Sequence, residues 1–165
     1  MRAIDVRDLM GNPGAGKTVA VDEPVPGLHL GLADVPEDTP VKGELRLEGL
    51  TEGILVSGVI AGHMRLSCAR CLKEFDRDFD VEVSELFAAG PDPEGDEYAL
   101  EPEGSLDPEQ MVRDAVLLTM PFSPLCQPNC LGLCERCGGD RNLGECTCPE
   151  RPADHRWAAL EGLMD

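Results

Sequence analysis

Eight cysteines and their spacing constrain this chain more than any other feature of its sequence. One C-x2-C pair is followed, after a gap of 54 residues, by the pattern C-x3-C-x3-C-x2-C-x8-C-x-C. Zinc prefers four tetrahedral thiolate or imidazole ligands, and a C-x2-C turn lets two sulfurs bind one ion. The sequence therefore predicts one or two zinc ions held by Cys68, Cys71, Cys126, Cys130, Cys134, Cys137, Cys146 and Cys148.

The spacing leaves two pairings open between the first knuckle, Cys68–Cys71, and the second knuckle, Cys134–Cys137. In a local pairing, the second knuckle joins the last two cysteines in a miniature ribbon. The first knuckle then joins Cys126 and Cys130. In a crossed pairing, the two knuckles bind one ion together. Gly138, directly after the second knuckle, frees the backbone to curl around a metal.

Other uses of cysteine fit the sequence less well. Neither C-x2-C follows a strand and opens a helix, as a thioredoxin-like motif does. A catalytic zinc keeps a position open for water, whereas His29, His63 and His155 are not at ligand spacing with the cysteines. No Glu is placed as a general base. We therefore expect no enzymatic activity, and a thiol redox sensor that releases zinc on oxidation stays an alternative.

The formal charge of −18 is concentrated in residues 74–110, which contain 14 Asp or Glu and one Arg. Affinity for nucleic acid comes largely from Lys and Arg that neutralise phosphates, so this charge disfavours RNA. A basic protein partner fits it better. A second alternative is a direct RNA-binding zinc module, whose basic face would use Arg65, Arg70, Lys73, Arg136, Arg141, Arg151 and Arg156.

The location of the protein is expected to be the cytoplasm. Charged residues near the N-terminus replace the apolar region of a signal peptide. No apolar run approaches the ~20 residues that span a bilayer, so no membrane partner is expected. Thiols stay reduced in the cytosol, where paired cysteines more often bind metal than form structural disulfides.

The hydrophobic pattern predicts an α+β protein. Residues 1–87 form a β-rich body, with strands at Ala3–Val6 and Thr18–Asp22 and an antiparallel meander or partly open barrel over 41–87. The second turn of this meander is the first knuckle. Residues 88–106 form an acidic linker, which composition predicts to be poorly ordered. Residues 107–165 hold a helix, a zinc-bound, loop-rich segment and a closing helix at Trp157, Leu160 and Leu163.

Two short motifs resemble known signals, one for the start of a helix and one for phosphate binding. Asp107, Pro108 and Gln110 are helix-start signals, with Gln110 at the capping-box position. Residues 11–18 match the phosphate-loop pattern G-x-x-x-x-G-K-[ST]. That mechanism needs a buried strand before the loop and a helix after it. The flanks are charged before the motif and extended and proline-broken after it, so we interpret 11–18 as a glycine turn between strands, without nucleotide binding.

Several segments resemble the bacterial YceD-like family. They are 47–58, 68–72, 85–87, the cysteine-rich run 120–138 and the tail 154–160. Leu131 departs from the basic residue common at that position, and Asn142-Leu143-Gly144 replaces Asn-Leu-Asn. The resemblance implies a role in accumulation of large-subunit ribosomal RNA and ribosome assembly, with no known catalytic activity. It also implies that the first knuckle shares a core with Cys126 and Cys130, which favours the local pairing.

The charge and the resemblance together suggest a hypothesis about the partner. The acidic hairpin and linker would hold a basic ribosomal protein or a pre-ribosomal particle that is still being assembled. The protein would then be a non-enzymatic zinc-binding factor that supports ribosome assembly.

Overall fold

The computed structural model describes residues 1–88 and 97–149 of the chain. These residues form an α+β fold that is mostly β-sheet, as the sequence predicted. The strands are β1 Ile4–Asp5, β2 Gly16–Glu23, β3 His29–Leu30, β4 Ala33–Asp34, β5 Val41–Gly49, β6 Gly53–Ser67, β7 Glu74–Ala88, β8 Tyr98–Ala99 and β9 Ser105–Leu106. The helix is α1 Glu109–Thr119.

The predicted meander is confirmed as β5, β6 and β7, which pair antiparallel within one open sheet. β2 pairs with the outer edge of β5. The strands β6 and β7 are 15 residues each and form one long hairpin. The first knuckle lies at the tip of this hairpin, beside the end of β6 that pairs with β4. The sequence predicted either a meander or a partly open barrel. Because the sheet is open, the observed arrangement is the meander.

Alternation along the strands decides which face of the sheet is buried. Leu45 and Leu47 are fully buried, while Glu44 and Arg46 are exposed. Phe79 and Val83 of β7 are buried from the same side of the pleat. Helix α1 packs against β7 and contributes Met111, Val112 and Val116 to the core. The opposite face of the sheet is left to solvent and carries the charged residues.

The first turn of α1 differs from the predicted capping box. The Asp107 carboxylate accepts a hydrogen bond from the Glu109 backbone N–H (2.9 Å), which satisfies one free donor of the first turn. Gln110 does not reach back to the cap, because its amide donates to Asp114 instead (2.8 Å). Within the part of the chain that the structure describes, no helix is long and apolar enough to cross a membrane.

The predicted linker is ordered over its second half. Residues 97–106 carry β8, which pairs with the end of β7, and β9, which pairs with β1. Leu100 and Leu106 are buried, and Tyr98 stacks on Phe87 with ring centroids 5.1 Å apart. The expectation of poor order is wrong here because these few apolar side chains anchor an otherwise acidic segment. The remaining linker residues 89–96 and the closing helix lie outside the described residues.

Residues 11–18, which match the phosphate-loop pattern, form a turn after β1 and the start of β2. Gly16, Lys17 and Thr18 lie inside β2, so no helix N-terminus follows the motif. The Lys17 ammonium binds the Asp8 carboxylate (2.6 Å) and the Asp5 carbonyl rather than pointing to a loop of free amides. The predicted turn is confirmed for the first part of the match, 11–15, while 16–18 belong to β2. The absence of nucleotide binding stays a prediction.

Candidate metal centres

The structure gathers the eight cysteines into two groups of four, and in each group the four sulfurs lie within 4.8 Å of one another. This arrangement is the local pairing rather than the crossed one. The first tetrad comprises Cys68, Cys71, Cys126 and Cys130. The second tetrad comprises Cys134, Cys137, Cys146 and Cys148. All eight are free thiols and none forms a disulfide.

The sulfur spacing in the first tetrad fits a tetrahedral metal ion. The Cys68 and Cys130 sulfurs are 3.8 Å apart, and those of Cys71 and Cys126 are 3.6 Å apart. Four thiolates at a Zn–S distance of ~2.3 Å form a tetrahedron whose edges measure ~3.8 Å. A disulfide would bring two sulfurs to ~2.05 Å, which this spacing does not approach. The donor set and its dimensions therefore suit zinc.

Backbone contacts hold the hairpin tip against the C-terminal segment around this tetrad. The Ala69 N–H donates to the Pro124 carbonyl (2.8 Å), and the Leu133 N–H donates to the Arg70 carbonyl (3.1 Å). The Arg70 guanidinium donates to the Cys130 carbonyl (2.8 Å). The hairpin tip thus lies between two loop segments, one just before Cys126 and the other just after Cys130. A metal ion there would cross-link segments that are far apart in the sequence.

The two knuckles share one backbone conformation. In the first, the Arg70 N–H donates to the Cys68 sulfur (3.5 Å) and the Leu72 N–H to the Cys68 carbonyl (2.9 Å). In the second, the Arg136 N–H donates to the Cys134 sulfur (3.4 Å) and the Gly138 N–H to the Cys134 carbonyl (2.9 Å). Amides that donate to sulfur stabilise a thiolate and orient it as a ligand.

Both turns place the residue after the second cysteine in the left-handed region. Gly138 has φ 73° and Leu72 has φ 60°. Sequence reasoning singled out Gly138 because glycine adopts this conformation freely. It missed Leu72, because a leucine gives no signal that its backbone is left-handed. Leu72 is the one non-glycine residue with positive φ among those that the structure describes.

The two tetrads differ in their exposure to solvent. Cys68, Cys71 and Cys130 are buried and pack with Phe75, Leu125 and Leu133. In the second tetrad Cys137 is exposed and its three companions are half-buried. The first centre is therefore part of a small core of its own. The second is close to the surface, where chelators and oxidants have access.

Thiol pKa values in both tetrads are strongly split. At Cys68 burial acts to raise the pKa, but hydrogen bonds from the Cys126, Cys71 and Arg70 backbone lower it to about 6. Burial and the surrounding thiols raise the pKa of Cys126 to about 12. In the second tetrad, backbone hydrogen bonds from Cys137 and Arg136 lower the pKa of Cys134 to about 6. Four thiolates this close require a cation, because like charges otherwise keep some of them protonated.

Asn142 is a residue that sequence reasoning missed. Its side-chain N–H donates to the Cys130 sulfur (3.5 Å), and its oxygen accepts from the Leu131 N–H (2.7 Å). The Asp140 carboxylate fixes the amide from the other side (2.7 Å). Asn142 lies between two cysteines of the second tetrad in the sequence yet contacts the first. It therefore joins the two centres and belongs to the outer shell of the first.

Two of the three histidines lie apart from both tetrads. His29 is in β3 and His63 is in β6, where its Nδ1 is 2.7 Å from the Asp78 carboxylate. His155 falls outside the described residues. Within the part of the chain that the structure describes, the two cysteine tetrads are the groups that can hold a metal ion.

A family model described as "Large ribosomal RNA subunit accumulation protein YceD" matches residues 56–164, which include all eight cysteines. The chain belongs to the YceD family. The resemblance seen in the sequence is thereby confirmed, and the family name connects the protein with large-subunit ribosomal RNA.

Two mycobacterial relatives of this YceD-family chain match it over nearly its whole length. An uncharacterized protein of Mycobacterium tuberculosis is 36% identical over 98% of this chain and 80% of the relative. An uncharacterized protein of Mycobacterium leprae is 31% identical over 97% of this chain and 76% of the relative. The uncharacterized protein YlbN of Bacillus subtilis is 25% identical over 80% of this chain and 78% of its own length. No solved structure is significantly similar to the chain.

Proposed function

We propose that this YceD-family protein is a non-enzymatic, zinc-stabilised factor that supports accumulation of large-subunit ribosomal RNA. It acts in the cytoplasm by holding a basic ribosomal protein or an assembly intermediate. The observation that carries this proposal is a row of carboxylates on the solvent face of β7. The family name supports the ribosomal setting.

The acidic row consists of the alternate β7 residues Glu74, Asp76, Asp78, Asp80 and Glu82, all of them exposed. Alternation places the five carboxylates on one face, ~7 Å apart and over ~27 Å in all. His63 lies near two of them, at 2.7 Å from Asp78 and 3.8 Å from Asp76. Among the described residues, no Lys or Arg forms an ion pair with the row. Its charge is therefore left for a basic partner.

The two cysteine tetrads support a structural role for zinc. Structural zinc sites have four protein ligands, whereas catalytic sites keep one position for water or substrate. Each tetrad supplies four sulfurs. An ion in either site would be fully ligated by this chain and would hold the fold together, which is why we propose no catalytic step.

Affinity capture tests the proposal with the full-length, metal-loaded chain as bait, at low and moderate salt. We expect a basic ribosomal protein or a large-subunit precursor particle, identified by mass spectrometry and rRNA analysis, and weaker recovery at higher salt. Recovery of no ribosomal component at low salt would contradict the proposal.

A matched pair of variants tests the acidic row itself. The triple change Glu74→Gln, Asp80→Asn and Glu82→Gln removes three charges from the row. The control Glu37→Gln, Asp38→Asn and Glu52→Gln removes three exposed carboxylates elsewhere. Only the first set should reduce capture, since the partner binds the row rather than the overall charge. Equal effects of both sets would show that the row is not the site.

A thiol and zinc redox sensor is a second candidate, and the exposure of Cys137 favours it. A hydroperoxide would take two electrons from two thiolates of the second tetrad, which form one disulfide. With two protons from solvent, the hydroperoxide would leave as water and an alcohol, or as two waters in the case of hydrogen peroxide. The loss of two ligands would free the ion. Substoichiometric peroxide should then release zinc and change the capture of the ribosomal partner. Zinc release without any change in capture would leave the assembly factor as the function.

A further inference from the structure

The outer edge of β7 is open over most of its length. On one side, β7 pairs with β6 along all 15 of its residues. On the other side, only Phe87 and Ala88 have a partner strand, which is β8. Among the described residues, no backbone hydrogen bond reaches the outer side of 74–86. The acidic row thus lies on an edge strand, whose unpaired backbone groups are a template for a further strand.

The register shows which backbone groups of β7 point outward. At the hairpin tip the Cys68 N–H donates to the Lys73 carbonyl (2.9 Å), so these two residues form a hydrogen-bonded pair. Such pairs alternate with non-hydrogen-bonded pairs along an antiparallel ladder. Every second residue of 74–86, beginning with the first, therefore directs its N–H and C=O away from β6.

All the residues of the acidic row belong to this outward series. Ala88 continues the series, and its carbonyl accepts the Leu100 N–H (3.1 Å) from the outer side, as the alternation requires. Each residue of the row therefore offers a free backbone donor and acceptor at the edge and a carboxylate on the solvent face of the sheet.

β7 lacks most of the features by which proteins block an exposed edge strand. Blocked edges are short, contain proline or are interrupted by a bulge. β7 has 15 residues and no proline, and its register with β6 is continuous. Only its charge distinguishes it from an edge that would pair with any strand. Carboxylates repel a second copy of this acidic chain and attract a strand that carries cations, so the edge selects its partner by charge.

We propose that an extended, basic segment of the partner protein adds a strand to the outer edge of β7. Its backbone bonds to the outward N–H and C=O groups of 74–86, and its Lys or Arg side chains, at alternate positions, lie beside the acidic row. In strand addition the main chain provides affinity and alternate side chains provide specificity. Facing side chains of adjacent strands have Cβ atoms ~5 Å apart, so each cation can reach a carboxylate. The inference rests on the proposed function, because it states how the basic partner is held.

A synthetic peptide tests strand addition without the natural partner. The probe is a fluorescein-labelled, nine-residue peptide in which Lys alternates with Thr or Val, long enough to cover the ~27 Å of the row. It is titrated with the zinc-loaded full-length chain, and fluorescence anisotropy follows binding at low and moderate salt. We expect saturable binding that weakens as salt rises. A peptide of the same composition with its lysines in one block should bind at least about fivefold more weakly, because fewer cations face the row.

N-methylation of the peptide separates backbone pairing from attraction between charges. One derivative is methylated on the amides of its lysines and the other on the amides of the remaining residues, and both keep the charge and the side chains of the probe. In an added strand, one of these two sets of amides faces β7 and the other faces solvent. One derivative should therefore bind like the probe, and the other should bind at least about tenfold more weakly.

Hydrogen exchange of the protein shows where the peptide binds. The outward amides of Asp76, Asp78 and Asp80 have no backbone partner among the described residues and should exchange fast in the free protein. The amides of Arg77 and Phe79 face β6 and should exchange slowly. Binding of the peptide should slow the outward amides at least about tenfold, because they become hydrogen-bonded.

A matched pair of double variants tests the charges of the edge. Asp80→Asn with Glu82→Gln removes two carboxylates from the row and should weaken binding of the probe about fivefold or more. The control, Glu85→Gln with Glu37→Gln, removes exposed carboxylates from the other face of β7 and from a loop. It should leave binding within about twofold, since distant exposed charges are screened. The urea midpoint of each variant shows whether it is folded.

Three results would overturn strand addition. They are no binding of the probe at low salt, equal binding by the two methylated derivatives, and equal weakening by the two double variants. If the natural partner is still captured through the row, any of these results would leave the proposed function in place, with the partner held by side chains alone. Strand addition by the peptide without capture of any ribosomal component would support the binding mode and contradict the proposed function.

Discussion

Replacing Cys68 with serine tests the first centre as a cross-link between the hairpin tip and the C-terminal segment. Cys71 and Cys126 are 55 positions apart in the sequence, so an ion that binds both closes a loop of that size. The chain-entropy model for a cross-link gives about 4 kcal/mol for such a loop. We therefore expect Cys68→Ser to lower the free energy of unfolding of the zinc-loaded protein by about 4 kcal/mol.

Cys146→Ser is the matched control. Only eight residues separate Cys137 from Cys146, and the second tetrad lies wholly within 134–148. The loss of this site should loosen that segment and leave the sheet folded, because stability is local where few contacts connect a segment to the core. The β-sheet should therefore unfold at nearly the same urea concentration as in the unaltered protein.

Urea unfolding followed by far-UV circular dichroism measures both variants, and zinc analysis confirms the loss of one ion in each. Hydrogen exchange locates the change, which should reach β6 and β7 in Cys68→Ser and remain within the last cysteine segment in Cys146→Ser. Equal destabilisation by the two variants would refute the reasoning. So would a Cys68→Ser variant that lost its ion and kept its full stability.

Three further predictions follow from individual features of the structure. A chelator should remove zinc in two kinetic phases of equal amplitude, and the faster phase should come from the more exposed second tetrad. A zinc-sensitive dye follows the release, and release in a single phase would contradict the prediction. Leu72→Gly should change the free energy of unfolding by less than about 1 kcal/mol, because relief of the left-handed backbone strain offsets the larger entropy of the unfolded glycine chain. Leu72→Val should lower the free energy of unfolding by about 1 kcal/mol or more. Urea unfolding measures both changes. Gly58→Ala would place a Cβ 2.2 Å from the Glu44 carbonyl oxygen; the strands β5 and β6 must then separate, and urea unfolding should show a loss of about 2 kcal/mol or more.

The strands and the knuckles were predictable because their signals are local. Alternation at Leu45 and Leu47 fixes the buried face of β5, and the C-x2-C spacing fixes two ligands of each centre. The pairing of the tetrads was not decided by spacing, because the 54-residue gap holds no information on where the hairpin tip lies. That position depends on β6 and β7 continuing for 15 residues each.

The parts that sequence reasoning missed depend on contacts between distant segments. Asn142 contacts Cys130 only because the chain returns to the first centre after leaving it. The strands in 97–106 depend on the stacking of Tyr98 on Phe87 and on the pairing of β9 with β1. Amino-acid composition contains no information about either contact. The left-handed Leu72 was missed for a different reason, since its conformation is imposed by a turn that glycine adopts more easily.

Zinc analysis of the full-length protein, purified without added metal, tests the central claim most directly. Mass spectrometry of the native protein and elemental analysis should give two zinc ions per chain, one for each tetrad. Cys68→Ser and Cys146→Ser should each retain one. Protein that contains no zinc and does not bind it when zinc is supplied would contradict the account of this molecule as a zinc-stabilised factor.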